Sequence, residues 1–150
     1  MKKSNITTAL CGLFLSGLLQ RSPAVAADKV TAPKPGQLQI IDTRPGSGAM
    51  TKAGDYAEVH YTGWVYDRKA HDHKGLRFDS SYDRNKTIEF KIGAKQVIRG
   101  WDEGLVGMKT GGRRTLIIPS DMAYGARGVG EIPPDSDLLF EVELITIPQH

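Results

Sequence analysis

Between Val59 and Phe140 the chain carries residues suited to holding an apolar, rigid group rather than attacking it. They come in short runs. Val59-His60-Tyr61-Thr62-Gly63 is followed by Phe78-Asp79-Ser80-Ser81 and Val97-Ile98-Arg99-Gly100-Trp101. Ala123-Tyr124-Gly125, Ile132-Pro133-Pro134 and Phe140 complete the set. Together they offer apolar walls, an indole, two phenols and one carboxylate. No Ser-His-Asp or Cys-His spacing stands out among them. The run Gly125-Ala126-Arg127-Gly128-Val129-Gly130 has the wrong order for a dinucleotide fingerprint. Met108-Lys109-Thr110 lacks the glycine that a P-loop places before its lysine.

Each of these residues has a plain structural use beside the functional one. Trp101 serves either as the floor of a pocket or as ordinary helix packing, since tryptophan is usually largely buried. Tyr61 falls on the apolar side of its strand. Its hydroxyl needs a partner, either backbone or Asp79. Asp79 directly follows Phe78, so in an extended segment the two point to opposite faces. Both enter one pocket only if a bulge or turn intervenes; otherwise Asp79 caps a turn near Ser80 and Ser81. Tyr124 precedes a glycine-rich loop, where its hydroxyl either donates to a ligand carbonyl or its ring packs on the loop.

Alternation predicts the elements that must position these groups. Leu38–Thr43 is apolar and β-branched. Over Tyr56–Val65, Val59, Tyr61 and Gly63 share one side, and Glu58, His60 and Thr62 the other. On this pattern His60 is exposed. Thr87–Ile92 and Arg114–Ile118 are further strands, and Leu138–Ile147 is the clearest, with Phe140, Val142 and Leu144 on one face. One short helix spans roughly Arg99–Val106, closed by Gly107. Short antiparallel strands with one apolar face need a cover. The expected fold class is therefore α+β: a twisted, half-wrapped antiparallel sheet packed on one short helix.

The start of the chain has a different composition. Lys2 and Lys3 precede an uncharged apolar run from Ala9 to Leu19, and Ala24-Val25-Ala26 follows. That is the layout of a secretory signal peptide over 1–27, cut after Ala26 or Ala27. The run is too short for a membrane span, which needs about 20 residues. Residues 28–36, with Pro33, Pro35 and Gly36, read as a short linker, and 37–150 as one domain. The full chain has 20 Lys and Arg against 17 Asp and Glu. Removing Lys2, Lys3 and Arg21 leaves 17 against 17, formally neutral. Neutrality removes the main argument for nucleic acid as a partner. Arg113-Arg114 is then read as a solvated strand face. The only cysteine, Cys11, lies in the leader, so the expected product is secreted, periplasmic, free of disulfides and off the membrane. No long helical arm precedes Gln37, which favours a monomer.

In order and spacing the runs resemble the FKBP family, the macrolide-binding peptidyl-prolyl cis-trans isomerases, or rotamases. The resemblance extends from about Gln37 to Ile147. It implies an enzyme that speeds X–Pro rotation in folding polypeptides without a covalent intermediate. It assigns Tyr61, Phe78, Asp79, Tyr124 and Phe140 as catalytic, and Phe90, Val97, Ile98, Trp101 and Ile132 as substrate-binding. It makes the Tyr124 hydroxyl and the Ile98 N–H the donors to ligand and sets Arg84 beside Asp79. It implies proline-containing polypeptides and macrolide inhibitors as partners, with no cofactor and no metal. The alternative is a peptide-binding or chaperone module with little turnover.

The chain departs from that pattern in three places. A longer stretch between Gly63 and Phe78 contains His71, Asp72, His73 and Lys74, read as a solvated loop rather than a metal site. Ile88 stands where an aromatic is common. The Gly125–Pro134 loop is one residue short, with unexpected Val129 and Glu131.

Overall fold

The structure is a computed structural model that describes residues 36–150. The expected leader and all but the last residue of the expected linker lie outside the described residues.

Tyr56–Tyr66 (β2) is the hub of the molecule. Its buried and half-exposed residues alternate without a break from Tyr56 to Trp64, as period-two patterning demands. Leu138–Thr146 (β6) pairs along one edge of β2. Lys74–Ser80 (β3) and Ile88–Lys91 (β4) share the other edge. Arg113–Ile118 (β5) pairs with β6, and Gln39–Arg44 (β1) pairs with β5. All pairs are antiparallel, in the order β1-β5-β6-β2-β3 with β4 on β2. One helix, Arg99–Gly104 (α1), covers the apolar face. Gly100 lets it lie close, because a Cβ there would meet Ile118 Cγ2 at 2.4 Å. Val59, Leu116, Ile118, Val142 and Leu144 close against Trp101 and Leu105, each at most 3% exposed. The helix is two residues shorter than expected, and it stops at Gly104, where the chain turns through Leu105 toward Gly107 at φ 78°.

The stretch 64–77, expected as a solvated loop, is not one throughout. His71–His73 forms a 3-10 turn, with Asp72 and His73 at φ 53° and 60°. From Lys74 the chain is β3. Lys74 pairs with Glu141 at 2.7 Å and lies over the Trp64 ring. Lys74-Gly75-Leu76-Arg77 has no apolar alternation of its own, and the pairing is supplied by β2 from across the sheet. Among the described residues, no group of three His, Cys, Asp or Glu is placed to hold a metal.

Arg114 also corrects an expectation, being only 6% exposed. It lies on the inward side of β5, and its guanidinium donates to the Asp42 carboxylate at 2.7 and 3.1 Å. It also donates to the Gly104 and Val106 carbonyls at 2.8 and 3.0 Å. Gly104 is the last residue of α1, where the terminal carbonyls have no partner within the helix, and Val106 lies in the turn that follows. Arg113, by contrast, is exposed and reaches Glu143. Arg114→Ala is expected to lower stability by about 1–3 kcal/mol, because the buried Gly104 carbonyl and the partly buried Val106 carbonyl lose their donor. Urea unfolding checks this as a lower midpoint with an unchanged slope.

Candidate active site

The bulge demanded by Phe78 and Asp79 is present. Gly63 pairs with Asp79, but Trp64 pairs with Arg77, so Phe78 is the extra residue on β3. A bulge re-aims side chains, and here both residues face one pocket of about 190 Å³. Tyr61 and Phe140 enter from the centre of the sheet, and Trp101 from α1. Val97 and Ile98 come from the turn before α1, and Tyr124 from the loop after β5. Ile88 and Gln96 complete the rim.

The rings meet edge to face. Trp101 lies 5.1 Å from Tyr61 and 5.2 Å from Phe140, at 82° and 84°. Phe78 stands against Phe140 at 5.5 Å and 84°. Such arrangements set the positive edge of one ring on the negative face of another. The indole N–H of Trp101 is buried without a hydrogen-bond partner.

One polar unit interrupts the apolar wall. The Tyr61 hydroxyl donates to Asp79 Oδ2. Arg84 donates to Asp79 Oδ1 at 2.6 Å and to the Tyr61 oxygen at 3.1 Å. Burial alone would raise the Asp79 carboxyl, but hydrogen bonds from Arg84 and Tyr61 outweigh it and hold the group below its ordinary 3.8. Burial, and then the bond to Asp79, raise the Tyr61 phenol above 10.0. Burial and the Asp79 charge raise Tyr124 likewise. At neutral pH the pocket therefore presents two protonated phenols beside one ionised carboxylate.

The signs give a pH prediction. A carboxyl depressed on folding adds stability above its unfolded value, lost as pH falls through the folded one. The Asp79 contribution is thus expected to disappear below pH 3.8. A phenol raised on folding adds stability below 10.0, lost as pH rises through the folded value. Thermal midpoints of Asp79→Asn and wild type, measured from pH 7 to 2, are expected to converge at the acid end.

Two expected pocket residues lie elsewhere. Phe90 is buried against Trp101, its ring 5.6 Å away, two residues along β4 from Ile88, so that Ile88 reaches the rim and Phe90 the core. Ile132 is buried beneath the 125–134 loop, where its backbone bridges Val129. Gln96 was not foreseen. No local pattern marks it, since only the turn between β4 and α1 brings it to the rim, with its side-chain Oε1 accepting the Lys91 N–H at 2.8 Å. His60 is not exposed either. It is half-buried, stacked on Tyr82 at 4.4 Å.

With this geometry in place, known proteins can be compared. The FKBP-type peptidyl-prolyl cis-trans isomerase family matches residues 48–145. The chain belongs to that family. It is 49% identical over 113 residues to the FK506-binding protein of Neisseria meningitidis serogroup A, covering 75% of this chain and 97% of the relative. It is 46% identical over 114 residues to the peptidyl-prolyl cis-trans isomerase FPR2 of Saccharomyces cerevisiae, covering 74% and 80%. Among solved structures, AtFKBP13 superposes with a TM-score of 0.64 at 40% identity, covering 74% and 93%. Membership makes the chain an isomerase by family and agrees with the antiparallel sheet and single short helix described above. In this FKBP-type chain the departures fall at the rim and on the outer face of the sheet. Ile88 takes a place on the pocket edge, while the 71–74 stretch borders a separate cavity over Ile117 and Leu139.

Proposed function

We propose that the pocket binds the proline of a polypeptide and lowers the barrier to rotation of the preceding bond. The observation that carries this reading is the ring-walled cavity with a donor hydroxyl, Tyr124, at its edge and a neutralised Tyr61–Asp79–Arg84 unit in its wall. An amide resists rotation by about 18–20 kcal/mol, because resonance makes its C–N bond partly double. Unaided, an X–Pro bond turns over in tens to hundreds of seconds. Reaching about 10³ s⁻¹ requires roughly 10⁵-fold acceleration, near 7 kcal/mol. A twisted amide has lost resonance and carries a less polar carbonyl. An apolar wall tolerates that state better than the planar one, and this difference is what lowers the barrier. The Tyr124 hydroxyl and the Ile98 N–H hold the twisted form. Asp79 orients Tyr61 and shapes the local field; no proton moves, so no general base is needed.

A protease-free assay of X–Pro isomerisation tests the reading. Wild-type turnover at the uncatalysed rate would overturn it. Tyr124→Phe is expected to lower kcat/KM about 3–10-fold, the worth of one net hydrogen bond of about 0.5–1.5 kcal/mol. The shortened 125–134 loop, with Val129 54% exposed, favours one second reading: a peptide-binding module with little turnover. Peptide affinity without acceleration would select it. Macrolides are proposed ligands of the same pocket. The enzyme is further proposed to be secreted and periplasmic, on the strength of Lys2, Lys3 and the apolar run at 9–19, and, separately, to be a monomer. Sequencing the N-terminus of the exported protein and measuring its mass in solution check both points.

A further inference from the structure

We propose that Ser81, which lines no part of the pocket, is a positioning residue for this isomerisation; the inference rests on the pocket reading above. It follows from a gap in the sheet. β3 ends at Ser80, opposite Thr62, and β4 begins with Ile88, opposite Val59. On that edge of β2, His60 and Tyr61 face no strand. Tyr61 is the residue whose phenol enters the pocket, so the gap opens where the site needs a fixed backbone.

Ser81 fills the gap. Its N–H donates to the Tyr61 carbonyl at 3.0 Å. Its Oγ accepts the Tyr61 N–H at 2.8 Å. Ser80 supports only the carbonyl side, with its Oγ 3.2 Å from Tyr61 O. The Tyr61 N–H thus depends on one hydroxyl, and Ser81 is 0% exposed. A buried N–H without a partner is rare and costly.

The hydroxyl is itself oriented. His60 Nδ1 lies 2.8 Å from Ser81 Oγ. With its ring proton on Nε2, His60 accepts the serine proton; with it on Nδ1, His60 donates and the serine proton goes to the Tyr61 carbonyl at 3.2 Å, and in both cases a serine lone pair is left for the Tyr61 N–H. The imidazole is stacked on Tyr82, whose hydroxyl donates to Glu143 at 2.9 Å. Asp79 lies two residues before Ser81 on the same segment. The Ser81 clamp on the Tyr61 backbone and the Tyr61–Asp79 bond therefore close a single loop, and the clamp sets where phenol and carboxylate meet.

The experiment compares wild type, Ser81→Ala and Ser81→Cys. Cysteine keeps the shape but accepts weakly, so it serves if the alanine variant does not fold. Two quantities are read on folded protein: kcat with KM, and the Asp79 carboxyl titration by ¹³C NMR. The expected result is a fall in kcat of about tenfold, within the range for a misplaced catalytic group, with KM little changed. The Asp79 carboxyl is expected to move up toward its ordinary value. Thr51→Val is the control. It removes a buried hydroxyl bonded to the Leu105 and Met108 carbonyls and lining no part of the pocket, and is expected to lower stability while leaving turnover per folded molecule unchanged. Full turnover in either Ser81 variant overturns the proposal. So does lost turnover with the Asp79 titration unmoved. If wild type itself shows no acceleration, the pocket reading fails, while the titration still reports whether the clamp holds.

Discussion

Gly63→Ala is expected to cut kcat/KM by about 100-fold while the chain still folds. Gly63 sits between the two phenylalanine walls, paired with Asp79 on one side and Phe140 on the other. A Cβ there would stand 2.6 Å from Phe78 Cζ and 2.7 Å from Phe140 Cε1. Both contacts are with rigid rings, so neither yields as a flexible side chain would. The rings must part, and their edge-to-face contact at 5.5 Å is lost. Overpacking of this kind costs about 1–3 kcal/mol in stability. A pocket displaced by about 1 Å is expected to lose about 10²-fold in rate. Turnover and urea unfolding on the same preparation separate the two effects. Wild-type turnover in Gly63→Ala would show that the ring walls do not shape the reaction.

The second large effect is expected at Trp101. Its indole touches Tyr61, Phe140 and Phe90 and is 3% exposed. Trp101→Ala is expected to cost about 3–5 kcal/mol, from lost burial and the cavity left behind. That is a large share of the roughly 5–15 kcal/mol of a small domain, so unfolding at 37 °C is an expected outcome. At 10 °C the folded fraction is expected to show turnover about 30-fold or more below wild type, since the wall proposed to support the proline ring is gone. Trp101→Leu, which refills part of the space, is expected to recover most of the stability and little of the rate. A Trp101→Leu variant with wild-type kcat would remove the indole from the mechanism.

These two sites differ in how far they can be read without coordinates. Trp101 lies in a run whose resemblance to the family marks it for the pocket, where residue type alone left ordinary helix packing open, and the structure puts its indole in the pocket wall. Gly63 reads only as one member of a strand. That it is the gap between two rings follows from three strands meeting there. Phe78 and Asp79 show the same division. Alternation sets them on opposite faces, and only the shifted register of β3 against β2 turns both inward. Phe90 and Ile132, assigned to the pocket by resemblance, are buried outside its lining, because matching a motif does not decide which side of a wall a residue packs on. Arg114 looks like a solvated charge until the end of α1 is laid over it.

By itself the sequence determined the alternating faces of β2 and β6, the helix carrying Trp101, the family, and most of the side chains around the cavity. The faces and the helix depend on short-range periodicity and residue type, which a linear chain displays directly; the family and the cavity side chains came from the order and spacing of motifs that resemble it. Tertiary structure alone decided the bulge at Phe78, the strand at Lys74–Ser80, the burial of Arg114 and the Ser81 clamp on Tyr61. Each depends on a hydrogen-bond partner supplied by another strand or helix, and a one-dimensional pattern carries no record of which partner arrives or in what register.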